Sequence, residues 1–202
     1  MLAFSAQLSL AQTTVTGADG VQVRIYDTSR IITLGGDVTE TVFALGAGAR
    51  VVAVDASSNF PAEVNNLPKV PYVRQLTAEG ILSLSPTLII STEGAEPKNV
   101  IQQIRAAGTP ILMVSDSPTP EGAIAKIETI GKALENEGKA AEKISKMEQQ
   151  LAKASEFRNR ITERPSVMFV LSAEGQNVMA AGNGTSAETI IELAGGINAL
   201  NG

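Results

Sequence analysis

Two residues, Tyr72 and Arg74, carry the most distinctive chemistry in a chain poor in reactive side chains. There is no cysteine and no histidine, and Tyr26 and Tyr72 are the only phenols. As a phenolate, a tyrosine oxygen is a recognised axial ligand of ferric haem iron. A free phenol ionises only near pH ~10, so a ligating tyrosine needs help, and a bound iron supplies most of it. Arg74 follows two residues on. In an extended segment it falls on the same side as Tyr72. There its guanidinium either stabilises the phenolate or pairs with a haem propionate. The plain alternative is a loop tyrosine packed on Pro71 beside a solvated arginine. The residues by themselves leave these readings open.

The elements that must position this pair run from Leu67 to Ile90. Pro68 and Pro71 fix their own φ and push the residues before them out of the helical region, which predicts a stiff, extended loop. Thr77 has the character of a helix N-cap, with Glu79 in the first turn. Ala78, Ile81 and Leu82 follow at helical spacing. Ser85-Pro86 stops that helix, and Leu88-Ile89-Ile90 reads as a buried strand. A loop held by such a scaffold is where binding groups usually sit.

This run resembles the haem-binding periplasmic proteins that serve ATP-driven (ABC-type) haem importers, within the wider cobalamin and siderophore binding superfamily. The resemblance rests on Leu-Pro-x-Val-x-Tyr-x-Arg at 67–74 and Leu-x-x-Glu-Gly-x-Leu-x-Leu-x-Pro-x-Leu-Ile at 76–89. It continues from Ile31-Ile32-Thr33-Leu34-Gly35-Gly36 to Gly195-Gly196-Ile197-Asn198, covering most of residues 24–202. The Glu-Gly-x-Leu-x-Leu-x-Pro run indicates the superfamily, and Tyr-x-Arg narrows it to haem. Pro71 stands where the family has glycine, which stiffens the loop. The resemblance implies a bilobal α/β fold with two lobes joined by a long helix, haem b as transported ligand, and Tyr72 as axial ligand to its iron. It implies a permease and ATPase complex at the inner membrane as partner, an outer-membrane haem receptor system as an indirect one, and a periplasmic location. It gives Glu79 a role in docking, as the glutamate that meets a permease arginine. Its counterpart in the second lobe is expected beyond Gly202.

Composition narrows the alternatives. A hydrophobic content of 44% over 202 residues supports one large domain or one and a half smaller ones. A net charge of −5 argues against a nucleic-acid partner. Without cysteine or histidine, disulfides, thiolate or imidazole zinc sites, iron–sulfur clusters and the usual hydrolase base are excluded. Residues 1–12 read as a signal-peptide remnant with small Ser9 and Ala11 before Gln12, or equally as a mildly apolar N-terminus. No stretch of about 18 apolar residues exists, which excludes a membrane-spanning helix. The lack of cysteine near the start argues against a lipid anchor.

Read in order, strand patterns alternate with helical ones. Val21–Tyr26 is an edge strand or hairpin arm, and Arg30–Leu34 a buried strand. Gly35-Gly36-Asp37 opens a helix at about 38–45, and Arg50–Val54 is the next strand. A long loop follows over Asp55–Arg74, a length that itself suggests function. Beyond the Leu67–Ile90 run come a helix over Lys98–Ala107 and a strand over Pro110–Val114. These alternations predict a parallel sheet with right-handed crossovers. Helical patterns at 121–134 and 139–161 follow, the second a charged rod of roughly 35 Å. Ser166–Leu171 reads as a strand, Asn177–Ala181 as hairpin-like, and 186–194 as a helix. The expected organisation is a signal remnant at 1–12 and an N-terminal α/β lobe at 13–118. Linker helices at 119–163 and the start of an incomplete second α/β lobe at 164–202 complete it.

Strand-end loops complete the candidate site. Gly36, Ser58 and Gly94 lie in the loops Gly35-Gly36-Asp37, Ser57-Ser58-Asn59 and Thr92-Glu93-Gly94, where open α/β sheets bind ligands. Gly35-Gly36-Asp37 lacks the G-x-G-x-x-G pattern of a dinucleotide turn. A non-catalytic carrier of haem is therefore the leading expectation. A ferric-siderophore or cobalamin carrier follows it, and a nucleotide-dependent α/β enzyme domain comes last.

Overall fold

The apolar alternation of the strands builds a sheet buried on both faces. The structure is a computed structural model and describes residues 12–174 and 177–201. The expected signal remnant, apart from Gln12, lies outside the described residues. The described residues divide into two compact units, one of residues up to 116 together with 125–140 and one of residues 117–124 together with those from 141 on.

The first unit opens on an antiparallel hairpin, β1 (Thr13–Thr16) and β2 (Gln22–Ile25). Then follow β3 (Ile31–Leu34), α1 (Gly36–Ala44), β4 (Val51–Asp55), β5 (Lys69–Val70), α2 (Ala78–Leu82), β6 (Leu88–Thr92), α3 (Lys98–Ala106) and β7 (Ile111–Val114). Strands β3 to β7 form one five-stranded sheet in the order β5-β4-β3-β6-β7, every pair parallel. Side chains alternate across it. Ile31, Leu88, Ile90, Leu112 and Val114 pack against Val38 and Val42 of α1, Val15, Val23 and Ile25 of the hairpin, and Ile130, Ala133 and Leu134. Ile32, Leu34, Ile89, Ile111 and Met113 pack on the other face against Ile81 of α2 and Val100, Ile101 and Ile104 of α3. Each such side chain taken from water contributes about 1.5–3 kcal/mol, so the sheet is the rigid floor from which the loops project.

Helices α4 (Pro120–Ala133) and α5 (Glu137–Arg158) contain the boundary between the units. The continuous helix expected within 139–161 is present as α5, unbroken at Met147. Its 22 residues span about 33 Å.

In the second unit, β8 (Ser166–Val167) pairs in parallel with β11 (Ile197–Asn198), and β9 (Val170–Glu174) forms an antiparallel hairpin with β10 (Asn177–Ala180). The single strand expected over 166–171 is thus split, each half with its own partner. Every side chain from Ser166 to Glu174 is exposed, so no buried face holds the segment to one line. Helix α6 (Ser186–Leu193) is capped by Thr185, whose Oγ1 accepts the Glu188 N–H (3.2 Å). Arg164 closes its other end by donating to the carbonyls of Gly195 (3.3 Å) and Gly196 (2.5 Å).

The long loop Asp55–Arg74 is more ordered than its sequence suggests. Residues 62–66 form a 3₁₀ turn, and Lys69–Val70 adds an edge strand to the sheet. A two-residue strand next to prolines is too short to show in a periodicity count. Thr77 has the extended backbone of an N-cap, but its side chain makes no capping hydrogen bond.

Candidate functional site

All five parallel strands end at the same edge of the first unit, and the loops leaving that edge line one cavity of about 170 Å³. From β3 come Gly35, Gly36 and Asp37; from β4, Ser57; from beyond β5, Tyr72, Val73 and Arg74; from β6, Thr92 and Gly94; from β7, Asp116. The chain runs β3-β4-β5 to one side and then crosses to β6-β7 on the other. The connections therefore diverge between β3 and β6, and the cavity sits at that switch point.

The Tyr72–Arg74 segment is pinned from below. Val73 and Leu76 are buried in the core beneath it. The Val73 carbonyl accepts the Glu96 N–H (2.9 Å), and the Leu76 N–H donates to the Glu96 carbonyl (3.2 Å). The Gln75 N–H donates to the Tyr72 carbonyl (2.7 Å), which closes a turn with Val73 and Arg74 at its centre. The extended segment expected here is a turn instead, because the anchored Val73 folds the chain back towards Glu96. Tyr72 and Arg74 nevertheless line the same cavity, and Tyr72 keeps 41% of its surface exposed.

The cavity floor depends on glycine. Gly35 has φ of +115°, a conformation open to glycine, and an added Cβ would meet Thr92 Cγ2 at 3.0 Å. On Gly36 a Cβ would press on the Ser57 carbonyl oxygen at 3.2 Å. On Gly94 it would land on the Asp116 carboxylate.

Of the residues singled out in the sequence, Tyr72, Arg74, Gly36 and Gly94 come together here. Ser58 does not line the cavity. It is fully buried, its Oγ donating to Asp55 Oδ1 (2.8 Å) and sharing a hydrogen bond with Thr39 Oγ1 (2.7 Å). Its neighbour Ser57 takes the lining position. Glu79 is exposed in the first turn of α2 and is not among the lining residues.

Two carboxylates that sequence reasoning passed over organise the site. Asp55, fully buried at the end of β4, accepts from Gly35 N–H (3.1 Å), Ser57 N–H (3.3 Å), Ser57 Oγ (2.7 Å) and Ser58 Oγ (2.8 Å). It ties the loops after β3 and β4 together. The sequence signal was Asp-x-Ser-Ser, in which a carboxylate bonds the backbone two residues on. Asp116 lies two residues beyond the end of β7, and its N–H donates to Glu93 Oε1 (3.1 Å). Withdrawal from water raises its carboxyl above the ordinary value, with Asp37 and Glu93 adding to the rise and Lys126 and Arg74 opposing it. Asp37 itself is ion-paired with the buried Lys126. The arrangement offers a phenol and a guanidinium beside a carboxylate-rich wall. Among the described residues no group of three His, Cys, Asp or Glu could hold a bare metal ion.

The periplasmic binding protein family matches residues 31–202. The chain is 30% identical over 166 residues to YvrC of Bacillus subtilis, an uncharacterized ABC transporter substrate-binding lipoprotein, covering 80% of this chain and 52% of that one. It is 37% identical over 82 residues to the vitamin B12-binding protein of Yersinia pestis, covering 41% of this chain and 29% of the relative. The solved structure of the periplasmic heme-binding protein RhuT from Roseiflexus sp. RS-1, in apo form, superposes with a TM-score of 0.79 at 39% identity, over 85% of this chain and 66% of that one. The chain thus spans about half of YvrC and just under two thirds of RhuT. The parallel-sheet α/β fold expected from the sequence is present, and its structural relatives are two-lobed binding proteins. The chain belongs to the periplasmic binding protein family.

Proposed function

We propose that this chain captures haem in the periplasm and delivers it to an ABC-type importer in the inner membrane. The observation that carries the reading is one cavity, at the switch point of the sheet, lined by both Tyr72 and Arg74. A phenol with 41% of its surface open can approach an iron centre without rearrangement of the core. Tyr72 is the axial ligand in this reading. Arg74 stabilises the phenolate or pairs with a propionate. Gly36 and Gly94 let the flat face of the tetrapyrrole approach the backbone. A cavity of about 170 Å³ is smaller than the ~300–1,000 Å³ typical of sites that enclose a ligand. It therefore serves as a platform for one side of the ligand. The likeness to a heme-binding protein supports the same ligand class. The transported species is haem b, and the protein is a carrier with no catalytic step.

Glu79, exposed at the start of α2, is assigned to docking against the permease. The expected lobe organisation, with an N-terminal α/β lobe at 13–118, linker helices at 119–163 and a second lobe from 164, belongs to the same reading.

A cobalamin carrier is the second reading, favoured by the 37% identity to a vitamin B12-binding protein. Calorimetric titration with haemin, cyanocobalamin and a ferric siderophore separates the ligands, and it suits a chain without tryptophan. Saturable binding of haemin alone is expected. Binding of cyanocobalamin or the siderophore with no uptake of haemin would replace this reading.

A further inference from the structure

The cavity has an electrostatic asymmetry that the haem reading does not by itself use. Arg74 is the one cation among its lining residues, against the carboxylates of Asp37 and Asp116. Lys126 lies close by but is committed to Asp37. Glu93 accepts the Asp116 N–H (3.1 Å), which brings a third carboxylate to the same wall. Asp116 lies over Gly94, where a side chain on the glycine would collide with its Oδ2. The absent Cβ is what makes room for this carboxylate in the wall.

We infer that Asp116 is a specificity-determining residue of the cleft, competing with carboxylate groups of the ligand for Arg74 and so disfavouring anionic tetrapyrroles relative to neutral ones. The inference rests on the haem reading and deepens it. The charged groups that act on Asp116 are Asp37 on α1 and Arg74 after β5, which line the same cavity, Glu93 after β6, which accepts its N–H, and Lys126 on α4. Like charges lining one cavity oppose one another, and covering them with ligand removes the water that screens them. A ligand propionate that reaches Arg74 must share it with Asp116. The same crowding, with partial withdrawal from water as its largest cause, already raises the Asp116 carboxyl above its ordinary value. Its charge is therefore present at high pH and is lost as pH falls through that raised value. Competition with anionic ligands should follow the same course.

The test compares haemin with haemin dimethyl ester, whose propionates are masked, on the wild-type chain and on Asp116→Asn at pH 8.5, where the Asp116 carboxyl is charged. Asp116→Ser serves as a second variant, and circular dichroism checks folding. Asp116→Asn is expected to tighten haemin about fivefold at pH 8.5, the size of one partly screened charge pair. The ester should change less than about twofold by the same pair energetics. Equal shifts for both ligands, or weaker haemin binding by both variants, would overturn the inference. Haemin bound equally by wild type and variants would overturn it while leaving the haem reading intact. Failure of the wild type to bind either tetrapyrrole would overturn both.

Discussion

The residues that decide this site are of two kinds, those that meet the ligand and those that hold the floor still. In the proposed reading Tyr72 and Arg74, which line the cavity, belong to the first kind. Asp55 belongs to the second, because a buried carboxylate with four donors is stable only while all of them reach it. Removing it strands the buried Gly35 N–H and Ser58 hydroxyl without their acceptor and frees the half-buried Ser57. Asp55→Ala is therefore expected to cost about 2–4 kcal/mol in denaturant unfolding. It should also weaken ligand binding, because Gly35-Gly36 and Ser57 lose their common anchor. A loss below about 1 kcal/mol would mean that the network is dispensable. Tyr72 and Arg74 were legible in the sequence as a spaced pair of reactive types. Asp55 was less so, because its role depends on a contact with Gly35, twenty residues away, that no local pattern encodes.

At the level of elements, the strands and long helices were readable because each buries side chains with a regular period. Ile31, Ile32 and Leu34 of β3, and the stripe of Val100, Ile101 and Ile104 on α3, are such patterns. What was not readable lies in short, irregular connections. The edge strand Lys69–Val70 exists because Lys69 falls beside Val54 and Val70 beside Asp55, a tertiary match. The turn at Tyr72–Gln75 is set by Glu96, again a distant partner. Ser58 faces the core and Ser57 the cavity for the same kind of reason. Helix α2 presents Glu79 to solvent in its first turn, where an acid suits the helix dipole. If Glu79 is a docking group, Glu79→Arg should leave haemin binding unchanged and abolish stimulation of the importer's ATPase in vesicles. Reversing a charge at a contact rim acts on association and orientation. Normal stimulation by the variant would reduce Glu79 to a helix-end residue worth about 0.3–1 kcal/mol.

Taken as a whole molecule, the two units differ in how much they bury. In the first, strands β3, β6 and β7 are buried along their full length on both faces. In the second, Phe169, Leu171, Val178, Met179 and Ile190 are at least half exposed, and Ile191 and Ala181 are its main buried apolar residues. Opening free energies follow local burial. Amide hydrogen exchange should therefore be slowest in β3, β6 and β7 and markedly faster in β8 to β11. Uniform protection of both units would show that the second has cover beyond its own apolar contacts. The cavity then stands on the more protected unit, and rigidity there favours a preorganised surface.

The central claim is that haem binds through the Tyr72 oxygen. It is tested most directly by the visible absorption spectrum of the haemin complex of the wild type and of Tyr72→Phe. The wild type should show the charge-transfer band of a tyrosinate–iron(III) bond, and Tyr72→Phe should lack it while retaining weaker haemin binding through apolar contact and Arg74. An identical band in both proteins would contradict the account and assign the iron to another ligand, with Tyr26 as the only other phenol in the chain.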